Sequence, residues 1–93
     1  AALRRLAARS FAGMARTGAA FSHGSGDYAI AFSTTGRNAT SLRGDALSPL
    51  FVAVADATEQ AIVDSLCAAE TTTGMGHSVP ALPLDRLRSL LGR

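Results

Sequence analysis

The residues best suited to chemistry cluster in His23-Gly24-Ser25-Gly26-Asp27, where a hydroxyl and a carboxylate stand two positions apart just before the chain turns apolar. In an extended chain, residues i and i+2 project to the same side, so Ser25 and Asp27 would share a face with the small side chains of Ala29 and Ala31. Another segment can approach closely on such a face. A carboxylate that holds or polarises a hydroxyl there would stabilise a reacting group brought by that segment. The competing reading is a Gly/Ser turn with an Asp at a strand entry, which needs no chemistry. A phosphate cradle fits less well, because that motif runs strand, Gly-rich loop, helix, whereas here a helix precedes the glycines and a strand follows. His23 and His77 are single imidazoles in Gly-containing loops and read as solvated side chains. Cys67, on an Ala-rich helix, reads as a small inert hydrophobe, since the sequence supplies no neighbouring base to activate it.

The elements that must position these residues follow from periodicity. Leu3, Leu6, Ala7, Ser10, Phe11 and Met14 fall on one stripe at about 100° per residue, with Arg5, Arg9 and Arg16 opposite, so residues 2–16 are expected to form an amphipathic helix with a solvated arginine face. Gly18 is placed to end it. From 27 to 34 the period changes to two: the large Tyr28, Ile30 and Phe32 alternate with the small Ala29, Ala31 and Ser33, which predicts a strand with two apolar faces. Thr35 to Leu47 reads as a polar loop, in which Asn38-Ala39-Thr40 matches a glycosylation acceptor too common by chance to carry weight. Ser48 as N-cap and Pro49 as first helical residue then predict a long helix to about Ala69. Thr71 to His77 is expected as a flexible loop, Val79 to Pro83 as an extended stretch and Leu84 to Leu91 as a short closing helix.

A single strand leaves backbone donors and acceptors unpaired along both edges, and buried groups of that kind must find partners. Either the chain self-assembles through 27–34, or it is the carboxy-terminal part of a larger α/β protein whose other strands come from elsewhere. The second reading is favoured. Size agrees with it. The chain has 93 residues and is 47% hydrophobic, but a fifth of it is Ala, so little area is available for a core of its own. One Cys excludes a disulfide scaffold, and one Cys with two His at unmatched spacing gives no metal site, so no cofactor is expected. No uninterrupted apolar run reaches the eighteen or so residues of a membrane span, and no membrane is expected among the partners. A net charge of +2, all of its basic side chains Arg, is too small an excess to point to nucleic acid. Arg4, Arg5, Arg9 and Arg16 all precede the first carboxylate, Asp27, a composition shared by organellar transit peptides, but the same residues make a good buried-face helix and a cytoplasmic location is preferred.

With these residues placed, three stretches in their order resemble one family: Ala15-Arg16-Thr17-Gly18; Gly24-Ser25-Gly26-Asp27-Tyr28-Ala29-Ile30-Ala31-Phe32-Ser33-Thr34; and Ala68-Ala69-Glu70-Thr71-Thr72-Thr73-Gly74. The close, His77-Ser78-Val79-Pro80-Ala81-Leu82-Pro83-Leu84-Asp85, is similar as well. Together they resemble the carboxy-terminal part of the L-aminopeptidase/D-esterase family, which includes the β-peptidyl aminopeptidases. The resemblance implies an α/β fold, a partial αββα sandwich similar to N-terminal-nucleophile hydrolases, built here from a helix, a strand, a long helix and a short carboxy-terminal helix. It implies a precursor that cleaves itself and exposes an amino-terminal Ser, which attacks peptide, amide or ester carbonyls without a metal or cofactor. It assigns Ser25 and Asp27 to the hydroxyl and acidic positions that interact with that nucleophile, though some members carry Glu where Asp27 stands. The implied nucleophile precedes the first helix. It is therefore expected outside residues 1–93, which would form a single carboxy-terminal piece, inactive alone and partnered by the rest of the same protein, which is expected to be a homo-oligomer when complete. The rival readings are a fragment of an ornithine acetyltransferase-like acyltransferase and a non-catalytic interaction module.

Overall fold

A computed structural model describes residues 2–35 and 44–92 of the chain. The element order is α1 (Ala2–Arg16), a 3-10 turn (Gly44–Leu47), α2 (Ser48–Ala68), β1 (Thr72–Gly74), β2 (His77–Val79) and α3 (Leu84–Leu90). The chain is thus helix-rich, with a small two-stranded antiparallel sheet. It divides into two compact units, Ala1–Ala61 and Ile62–Arg93, with the boundary inside α2.

In the first unit, α1 takes the predicted span and ends as glycine dictates. Thr17 and Gly18 donate backbone N–H bonds to the carbonyls of Met14 and Ala15, both at 3.1 Å, and Gly18 lies in the left-handed region at φ +89°. The contacts that α1 makes with α2 involve residues off the predicted apolar stripe. Gly13 is buried so close to α2 that a Cβ there would collide with the Ala55 carbonyl and lie 2.7 Å from Thr58 Cβ. Flanking this contact, the guanidinium groups of Arg5 and Arg9 sit over the Phe51 ring at 5.0 and 4.4 Å from its centroid. The Arg16 guanidinium donates to Asp56 Oδ1 at 2.6 Å and reaches Glu59 Oε2 at 3.4 Å. The expected solvated arginine face is therefore corrected. α2 offers an aromatic ring and two carboxylates to that side of α1, and cation–π attraction and ion pairing hold it there.

α2 also starts differently from the expectation. The 3-10 turn at Gly44–Leu47 runs straight into Ser48, so Ser48 belongs to the first helical turn rather than capping it from outside. The buried apolar side chains among the described residues are Leu47 and Ala55, which fits the thin core expected of an Ala-rich chain. The helix Gly44–Ala68 is 25 residues long and, by length and composition, apolar enough to cross a membrane, although it holds no uninterrupted apolar run of eighteen residues. A core helix meets the same criterion, and here Asp56 and Glu59 interrupt the apolar surface and pair with Arg16.

Residues 27–34 do not form the predicted strand. No ladder pairs them among the described residues, and the three large side chains of the alternating pattern project into solvent: Tyr28 is 93% exposed, Ile30 89% and Phe32 79%. The pattern of a strand is present, but its hydrogen-bonding neighbours are not. The expected loop over 35–47 lies mostly outside the described residues, Asn38-Ala39-Thr40 included.

In the second unit, the segment expected as a flexible loop is a β-hairpin. β1 and β2 pair antiparallel, Thr72 opposite Val79, Thr73 opposite Ser78 and Gly74 opposite His77. Met75 and Gly76 form the two-residue connection, with φ of +48° and +77°. Positive φ at both central positions is the signature of the type I′ turn, whose twist matches that of the paired strands. Thr71 braces the base, its Oγ1 accepting the Ala81 N–H at 2.9 Å. α3 closes the chain close to its expected limits, with Leu91 donating to the Leu87 carbonyl at 3.0 Å and Gly92 at φ +73° beyond it.

Candidate functional site

The turn that carries Ser25 and Asp27 is well defined by its backbone. The Ser25 N–H bonds the Ser22 carbonyl at 3.1 Å, and Gly24, the third residue of this turn, has φ +88°. A positive φ at that position alone is the type II pattern, which favours Gly there and explains the Gly24 of the motif. Ahead of it, Phe21 takes φ +49°, a costly conformation for a bulky residue. Gly26 then leaves room for Tyr28 to fold back, since a Cβ on Gly26 would stand 3.1 Å from the tyrosine ring.

Ser25 and Asp27 are both exposed and make no hydrogen bond to each other. The structure separates their surroundings. Asp27 lines an open groove of about 320 Å³ with Arg4, Ala7, Phe11, Tyr28 and Ala29, on a side of α1 other than the one packed against α2. Ser25 does not line that groove. His23 is exposed within the same turn, and His77 sits at the closing pair of the hairpin, in the other unit. Cys67 is a free, exposed thiol near the end of α2. Among the described residues no three of His, Cys, Asp or Glu converge in a way that could hold a metal ion.

Sequence reasoning counted Arg4 among the basic residues that precede Asp27 and gave it no place in a site. The signal available was its position: Arg4 precedes Ala7, Ala8 and Phe11 by three, four and seven residues, the spacing of a shared helical face. The other charged cluster, Arg16 with Asp56 and Glu59, is exposed and structural. The hydrogen bond to Asp56 raises the pKa of Arg16 above its ordinary value, against a lesser opposing effect of desolvation.

The described residues thus define an α/β chain with a hydroxyl- and carboxylate-bearing turn, followed by an unpaired apolar segment of strand period. Comparison with known proteins gives that class a family. The model of peptidase family S58 matches residues 1–79, and the chain belongs to that family. It is similar to the β-peptidyl aminopeptidase BapA of Sphingosinicella microcystinivorans, with 44% identity over 100 aligned positions that cover 96% of this chain and 25% of that protein. The protein of the same name from Sphingosinicella xenopeptidilytica is 33% identical over 103 positions, again covering 96% and 25%. The chain therefore spans about a quarter of the length of these relatives. No solved structure matches it.

Proposed function

We propose that residues 1–93 are the carboxy-terminal piece of a serine aminopeptidase that removes amino-terminal residues from peptides, amides or esters. The observation that carries this reading is the exposed run Tyr28, Ile30 and Phe32, which directly follows Ser25 and Asp27 and has the period of a strand without a strand's partners. Apolar side chains in water cost free energy, and that cost falls when neighbouring strands cover the segment and pair its backbone groups as they become buried. In this reading the neighbours come from the rest of a longer peptidase, with strands to either side and helices outside them in an αββα sandwich, and membership of peptidase family S58 supports it. The two relatives carry aminopeptidase names, which favours hydrolysis over acyl transfer to a second substrate.

In this reading the nucleophile is a Ser hydroxyl exposed by self-cleavage in the preceding part of the protein. It adds to the scissile carbonyl carbon, the leaving amine departs with a proton, and the resulting acyl-enzyme is hydrolysed by water. Ser25 and Asp27 act on the nucleophile. Ser25 bonds its oxygen or its amino group, and the Asp27 carboxylate stabilises the positive charge that forms when the amino group accepts the proton. The partners are the remaining part of the same protein, the peptide substrate, and further copies in a homo-oligomer. The test is kinetic: in the complete protein, Ser25→Ala and Asp27→Ala should each slow turnover while leaving self-assembly intact, and wild-type turnover in both would refute the assignment.

A further inference from the structure

No further inference is drawn: the strongest candidate, the apolar groove of about 490 Å³ lined by Leu66, Val79, Pro80, Leu82 and Pro83 in the second unit, carries none, because nothing in the structure shows what covers it in the complete protein.

Discussion

Ser25 and Asp27 are brought to the start of the same segment by a turn whose one positive φ falls on Gly24. The turn makes their positions definite, while their exposure leaves both side chains available to a group arriving from outside the described residues. If they act on a nucleophile, the effect belongs in kcat more than in KM. In the complete protein, Ser25→Ala and Asp27→Ala should each lower kcat by about tenfold or more, read from steady-state hydrolysis of an amino-acid amide. Asp27→Glu should retain more activity than Asp27→Ala, because it keeps the carboxylate and changes only its reach. A Glu variant as slow as the Ala variant would mean that position, rather than charge, is what the site requires. At this scale the sequence puts a hydroxyl and a carboxylate at the start of one segment, and the structure keeps both exposed with separate surroundings. The sequence could not show that Asp27 lines a groove with Arg4, because that depends on how the segment beyond the turn lies along α1.

Among the elements, the three helices were legible because their apolar positions recur at helical spacing over seven or more residues. What the sequence hid was which face of α1 packs against which face of α2. Arg5 and Arg9 look solvated until Phe51 is found beneath them, and Arg16 looks unpaired until Asp56 and Glu59 come within reach from a helix some forty residues away. The closeness of that packing gives a stability prediction. Gly13→Ala places a Cβ against the Ala55 carbonyl, so the helices must separate, at a cost of about 1–3 kcal/mol visible as a lower Tm. An unchanged Tm would show that α1 does not sit on α2 in this way. The hairpin was missed for a chemical reason: Met75-Gly76 replaces the Asn-Gly or Asp-Gly expected of a type I′ turn, so its sequence reads as a loop. Met75→Asn should therefore stabilise the hairpin, by roughly 0.5–1 kcal/mol, since Asn tolerates the left-handed region better than Met. Hydrogen exchange of the Thr73 and Ser78 amides would register the gain, and faster exchange would contradict it.

For the whole molecule, the deciding feature is what the chain leaves uncovered. Its buried apolar side chains, among the described residues, are one Leu and one Ala, while Tyr28, Ile30 and Phe32 stand in water. A sequence that alternates large and small residues over 27–34 specifies a strand, but pairing is a property of two segments. The second is not among the described residues. This is also why the αββα sandwich remains a proposal built on family membership and not a property of the described fold. It predicts that the isolated chain binds a hydrophobic dye such as ANS strongly, and that the complete protein does not. Weak dye binding by the isolated chain would mean that the chain covers these side chains by itself.

The most direct test of the central claim is to determine the coding sequence upstream of Ala1, express the protein it encodes, and follow it by mass spectrometry while assaying release of an amino-terminal residue from a peptide amide. The account predicts two chains from one precursor, a Ser at the new amino terminus, and turnover that falls when Ser25 or Asp27 is replaced. An intact precursor without turnover, or turnover indifferent to both residues, would contradict it.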